Sequence, residues 1–157
     1  MKQKVFQVID ELKIKYKNYE HVPVFSCDDC KWIDIPWKRV KSLLIANKKI
    51  TNFYMVVLWE DKKLETNKIR EIFNDSKMSF FEESLMVEKI WLRPWSVSPF
   101  ALINNIQKDI KVVFDEELKD ILIWFHPLQN DNTTVLEMQD VEKYLKHLWI
   151  TYVFSKL

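Results

Sequence analysis

Glycine is absent. Average usage of about 7% would place roughly eleven glycines in a chain of this length, yet these 157 residues contain none. Glycine supplies positive φ in turns and helix C-caps without steric cost, so a compact chain without it must build those features from other residues. Cysteine is scarce as well. Cys27 and Cys30 form a lone C-x-x-C, with no second Cys or His pair spaced to complete a zinc site. Asp28 and Asp29 between the sulfurs oppose thiolate formation, so the pair reads as two free structural thiols; neither a metal nor a cofactor is expected.

Charge of one sign is missing too. With 24 basic and 23 acidic residues the net charge is +1, so there is no global basic field and any nucleic-acid contact must rest on a local patch. No apolar run approaches the length of a membrane span. The first residues, Met1-Lys2-Gln3-Lys4, lead into an amphipathic segment rather than a signal sequence, which points to the cytoplasm with no membrane partner. Hydrophobic content of 48% with 30% charged residues describes a soluble globular chain, and its length suits one domain over 1–157.

What is present in excess is tryptophan, seven in all. Two of them frame the most distinctive stretch of the chain, Trp91-Leu92-Arg93-Pro94-Trp95-Ser96-Val97-Ser98-Pro99-Phe100-Ala101-Leu102-Ile103-Asn104. Proline fixes φ and donates no N–H, so Pro94 and Pro99 pin a loop. Small hydroxyls beside an apolar wall suit either a small pocket or a structural corner.

Around it the periodicities alternate. Val5, Phe6, Ile9 and Leu12 predict an amphipathic helix over about 3–13, and Tyr16 to His21 a strand. Ser26 with Asp29 predicts a short capped helix, and Ile35-Pro36-Trp37 a turn. Arg39–Ile45 and Ile50–Leu58 predict a hairpin across Asn47-Lys48-Lys49. Thr66 is expected to cap a helix that stops at Asn74, and a second helix covers about Phe81 to Ile90. Strands follow at Ile110–Phe114, Ile121–Phe125, Thr134–Met138 and Ile150–Phe154, with Asp140 expected to cap a helix before the last. The interspersion predicts an α+β domain, a mixed and largely antiparallel sheet with flanking helices.

The tryptophans occupy unusual places. Trp32, Trp91 and Trp149 follow helical segments, where a left-handed residue is expected. Trp37 and Trp95 each follow a proline, as the second residue of a Pro-Gly turn does. Trp59 opens a polar turn, and Trp124 stands at a strand end. Left-handed φ costs a non-glycine residue about 1–2 kcal/mol. One reading is that these positions carry glycine in the working protein, through a codon such as UGA read as either residue by different genetic codes. The other is a protein rich in real tryptophan.

Four segments carry a family resemblance: Tyr19-Glu20-His21-Val22-Pro23-Val24-Phe25, Val40-Lys41-Ser42-Leu43-Leu44, Trp95-Ser96-Val97-Ser98-Pro99-Phe100 and Phe125-His126-Pro127. In order and spacing the chain resembles the YbaK/ProRS-associated editing domain over nearly its whole length, most closely the free-standing prolyl-tRNA editing proteins. The resemblance implies that fold and hydrolysis of the ester joining a wrong amino acid to tRNA, chiefly alanine on tRNA-Pro. It implies that Lys41 holds the terminal adenosine and ester, and that Ser42 stands where the family has asparagine. Trp95 and Pro99 fall at the ends of its G-x-x-x-P loop, with tryptophan in place of glycine. His126 matches the pocket histidine of its F-H-P segment, and Asn130 or Asn132 the asparagine just after it.

The candidate site is therefore Lys41 and His126 as catalytic groups. Val24, Ser42, Trp95, Ser96, Val97, Ser98, Pro99, Phe100 and Asn130 are assigned to substrate. Ester hydrolysis needs a positioned water and donors for the developing oxyanion, which backbone N–H groups of residues 95–99 can supply. His126 can act as a base near neutrality or orient the substrate. A pocket bounded by the loop, Val24 and Phe100 admits alanine and excludes larger side chains. Lys38, Arg39, Lys41, Lys48 and Lys49 form a basic cluster suited to the acceptor end of a mischarged tRNA. Prolyl-tRNA synthetase is a second implied partner. Two alternatives stand beside this reading: a same-fold deacylase for cysteine, serine or threonine on tRNA, and a non-catalytic tRNA- or synthetase-binding module.

Overall fold

The structure, a computed structural model, describes residues 2–25 and 39–157. The expected capped helix at Ser26, the turn at Pro36, both cysteines, Trp32, Trp37 and Lys38 lie outside the described residues. The elements run α1 (Lys2–Glu11), β1 (Lys17–Glu20), β2 (Val40–Asn47), β3 (Phe53–Trp59), α2 (Thr66–Phe73), β4 (Met78–Phe80) and α3 (Glu83–Ile90). After two 3₁₀ turns come β5 (Ile110–Asp115), β6 (Leu122–Phe125), β7 (Asn132–Glu137), α4 (Met138–His147) and β8 (Tyr152–Ser155). No helix among the described residues is long and apolar enough to cross a membrane.

The strands form two sheets rather than one. Five strands follow the order β4-β2-β3-β5-β8, and three follow β1-β7-β6. Pairing of β2 with β3 and β4, and of β7 with β1 and β6, is antiparallel. Only β3-β5 and β5-β8 are parallel, so the fold is α+β with mixed, largely antiparallel pairing. Period-two alternation explains why the larger sheet is covered on both faces. In β3, Phe53, Met55 and Val57 enter the main core, while Tyr54, Val56 and Leu58 enter a second cluster with Ile69 of α2. The main core lies between the sheets and under α1, α3 and α4, through Val5, Ile9, Ile90, Val141 and Leu145.

Phe100 sits at its centre, fully buried, edge-on to Phe125 at 5.8 Å and Tyr144 at 5.3 Å. The Tyr144 hydroxyl donates to the Phe100 carbonyl at 3.0 Å. Truncating a buried phenylalanine typically costs about 3–5 kcal/mol, so Phe100→Ala should lower the midpoint of chemical denaturation by that much stability without a change in slope.

Helix ends show how the chain manages without glycine. After α1, Lys13 takes φ 56° while Ile14 N–H reaches the Ile9 carbonyl at 3.0 Å. After α2, Asn74 takes φ 48° while Asp75 N–H reaches Arg70. After α4, Trp149 takes φ 60° while Ile150 N–H reaches Leu145. These are Schellman closures, which satisfy the last carbonyls through one left-handed residue. Trp91, at φ 61°, ends α3 with a single bond to the Val87 carbonyl. The left-handed expectation thus holds at Trp91 and Trp149. It fails at Trp95, where a Pro-Gly type of turn is expected: its φ is not left-handed and it lies inside a 3₁₀ turn, while Trp59 ends β3 and Trp124 lies within β6.

Two capping expectations are also corrected. Thr66 is the first residue of α2 itself, and Glu65 precedes it without a side-chain cap. Asp140 lies within the first turn of α4, where a carboxylate suits the helix dipole, rather than at its cap.

Candidate active site

A cleft of about 260 Å³ opens where the start of β2 meets the end of β6. Four separated segments wall it: Val24 and Phe25 after β1, Arg39 with Val40 to Leu43 at the start of β2, Pro94 to Val97, and Trp124 to His126. Glu60, just past β3, completes it. Six of the eleven expected residues line this cleft, namely Val24, Lys41, Ser42, Trp95, Val97 and His126. Larger grooves exist, one of about 710 Å³ beside Lys48, Ile50, Phe80 and Glu88, but they gather none of the expected residues.

The other five stand behind the wall. Ser98, nearly fully buried, donates its Oγ–H to the His126 carbonyl at 2.7 Å and so ties the proline-pinned loop to the histidine strand. Asn130 donates Nδ2–H to the Val24 carbonyl at 2.8 Å, and Val24 N–H returns a bond to the Asn130 carbonyl at 3.0 Å. Asn130 thus positions Val24. Ser96 and Pro99 are buried in the loop, and Phe100 belongs to the core, so Phe100 is not a pocket wall.

The loop itself is two 3₁₀ turns, Pro94–Ser96 and Pro99–Asn104, each opened by a proline at a first-turn position that needs no N–H. This narrows the choice of oxyanion donors. Ser96 N–H is committed to the Arg93 carbonyl at 3.1 Å and Val97 N–H to Pro94 at 3.4 Å, while Pro99 has none. Among the described residues, this leaves the amides of Trp95 and Ser98 as the candidate donors of residues 95–99.

His126 is held with one nitrogen spoken for. Its Nδ1 lies 2.8 Å from the Asn132 carbonyl, which can only accept, so the neutral ring carries its proton on Nδ1 and offers Nε2 as an acceptor. Burial pushes its pKa below 6.5; the bond to Asn132 and nearby Asp131 oppose this, and His21, its ring 5.8 Å away, adds to it. His21 is anchored in turn by Thr133 Oγ1 at 2.9 Å. A histidine with a depressed folded pKa contributes stability that is present above the unfolded value and lost as pH falls through the folded one. Stability should therefore drop between pH 6.5 and lower values, and His126→Gln should flatten that part of a urea-midpoint profile against pH.

Sequence reasoning names Arg39 only within the basic cluster and does not assign Phe25 or Glu60 to the site. Arg39 and Glu60 form an ion pair, Nε to Oε2, at 2.9 Å inside the cleft. Phe25, 60% exposed, packs edge-on to Trp95 at 5.5 Å, and the Arg93 guanidinium lies 6.0 Å from the same indole. The available signal was the β2–β3 register, which carries Val40↔Trp59 one step further to place Glu60 beside Arg39. The expected basic cluster divides. Lys48 and Lys49 follow the far end of β2, which at about 3.3 Å per residue puts them roughly 20 Å from Lys41.

A family profile described as the aminoacyl-tRNA editing domain matches residues 35–144. The chain is 34% identical over 148 residues to the prolyl-tRNA editing protein ProX of Acetoanaerobium sticklandii, covering 92% of this chain and 90% of that one. It is 22% identical to a prolyl-tRNA synthetase associated domain-containing protein 1 of Danio rerio, over 93% and 82% of the two chains. Among solved structures, the hypothetical protein APE2540 superposes with a TM-score of 0.74 at 17% identity, over 95% and 96%. A candidate trans-editing enzyme for prolyl-tRNA synthetase superposes with a TM-score of 0.72 at 12% identity, over 99% and 96%.

Proposed function

We propose, since the chain belongs to the aminoacyl-tRNA editing domain family, that it is a trans-acting deacylase that clears alanine from tRNA-Pro. The observation that carries this reading is the convergence of Lys41, Ser42, Trp95 and His126, from three distant segments, on one cleft. The whole chain, 1–157, acts as the editing unit.

The reaction adds water to the ester carbonyl carbon, and the collapse of the tetrahedral adduct breaks the bond to the terminal ribose oxygen. That oxygen leaves with a proton, giving free amino acid and uncharged tRNA. Lys41 holds the adenosine and phosphate side of the substrate by its positive charge. The Trp95 and Ser98 amides stabilise the oxyanion, where fixed donors aimed at developing charge supply much of a hydrolase's rate. His126, neutral and with Nε2 as acceptor, orients the attacking water or the terminal ribose hydroxyl. Val24, fixed by Asn130, closes the side of the cleft that sets the size limit.

The acceptor end of tRNA meets the Arg39–Lys41 edge, with prolyl-tRNA synthetase as the second partner. One observation favours the non-catalytic alternative: the indole of Trp95 stands in the cleft wall. Ser42, in place of the family asparagine, keeps the cysteine, serine and threonine esters in view. A deacylation panel of Ala-, Cys-, Ser- and Thr-charged tRNAs decides among them. Fastest hydrolysis of Ala-tRNA-Pro is expected; tRNA binding without hydrolysis of any ester would establish the binding module instead.

A further inference from the structure

We propose that Glu60 receives the α-ammonium group of the aminoacyl ester and thereby restricts hydrolysis to esters whose amine is free, a step that rests on the deacylase reading above. Among the described residues of the cleft wall, Arg39 and Lys41 are cationic and Glu60 is the one carboxylate. Its placement is rigid. Glu60 N–H donates to the Arg39 carbonyl at 3.0 Å, and Arg39 Nε donates to Glu60 Oε2 at 2.9 Å. Both side chains are about three-quarters covered, at 27% and 25% exposure. A carboxylate offers about four acceptor positions over two oxygens, so this pairing aims Glu60 without saturating it.

Substrate chemistry supplies the occupant. The acylated end of a tRNA presents anionic phosphate, an ester carbonyl and an α-ammonium. The cations suit the phosphate and the loop amides suit the carbonyl, which leaves the ammonium to the carboxylate. Charge-assisted hydrogen bonds of this kind are roughly twice as strong as neutral ones. An ester whose amine is blocked, as in peptidyl-tRNA, brings a neutral amide to the same place. Glu60 is in this way a specificity residue that spares growing chains from hydrolysis.

The test compares Ala-tRNA-Pro with N-acetyl-Ala-tRNA-Pro on the full chain, as wild type, Glu60→Gln and Glu60→Asp, with kcat/KM as the readout. The wild type should prefer the free-amine ester, and Glu60→Gln should lower kcat/KM for that ester by about tenfold or more while leaving the blocked one nearly unchanged. Glu60→Asp, which keeps the charge, should retain part of the preference. Equal loss on both esters, or an unchanged ratio, overturns the proposal and leaves Glu60 as a support for Arg39. A wild type that hydrolyses neither ester overturns the deacylase reading itself, and this assignment falls with it.

A second inference stands on the backbone at two helix ends. We infer that glycine occupies positions 91 and 149 in the protein made by its source cell; if one reassigned codon encodes every tryptophan of the chain, positions 32, 37, 59, 95 and 124 change with them. Trp91 and Trp149 hold φ 61° and 60° at helix ends, in a chain with no glycine anywhere. Trp149 is 86% exposed, so burial does little to offset the left-handed penalty on its indole, whereas Trp91 is 45% exposed with Lys4 Nζ 5.0 Å from its ring. Intact mass and peptide mapping of the protein isolated from its source provide the test. A mass lower by seven tryptophan-to-glycine differences, with no indole fluorescence, is expected; an indole found at position 91 or 149 overturns the inference.

Discussion

Trp95→Gly should raise deacylation of Ala-tRNA-Pro, by about tenfold or more in kcat/KM. The physical reason is steric. Among the described residues, the Trp95 amide is one of two candidate donors in the loop, and its indole stands in the same wall of a cleft of about 260 Å³. An ester approaching that amide must pass a ring already packed against Phe25 and near Arg93. Misplacement of a reacting group by about 1 Å can lose 10²-fold in rate. Glycine at 95 removes the ring and leaves the turn intact, because φ there is not left-handed and the Ser96 and Val97 bonds run to Arg93 and Pro94. Single-turnover kinetics with both variants provide the measurement; an unchanged rate would show that the indole does not obstruct the ester.

Lys41→Ala should lower kcat/KM on the same substrate by about 10- to 10²-fold, the effect of removing a charge-assisted hydrogen bond to the substrate worth about 1.5–3 kcal/mol. The residue is only partly buried at the strand start, so the fold should survive with an unchanged melting curve. Lys41→Arg restores the charge with a different shape, and partial recovery would separate charge from geometry. Retention of full activity in Lys41→Ala would remove Lys41 from the site.

Much of this was legible before any fold was known. The unbroken apolar run Phe53–Leu58 marks a strand, and the structure covers it on both faces. The left-handed ends at Trp91 and Trp149 were readable because helix termination makes a local demand on one residue. The same reasoning failed at Trp95. A proline followed by a glycine-like position suggests a type II turn, but the neighbouring packing of Ser96 and Ser98 winds the segment into 3₁₀ instead. Phe100 misled for a related cause: apolar character shows that a residue is covered, not whether ligand or core covers it.

The sequence by itself determined most of the described strands and helices, though not β4, together with the four signature segments and the family they indicate, because periodicity and motif spacing are properties of neighbours along the chain. Tertiary structure alone decided that the β2 start meets the β6 end, that Ser98 bonds the His126 carbonyl, and that Glu60 pairs with Arg39 in the cleft. Those contacts join residues 28 and 21 positions apart. Nothing in a local period specifies which distant strand end will close against which. That choice was made by burial of the shared core, and it turned a loop, a lysine and a histidine into one site.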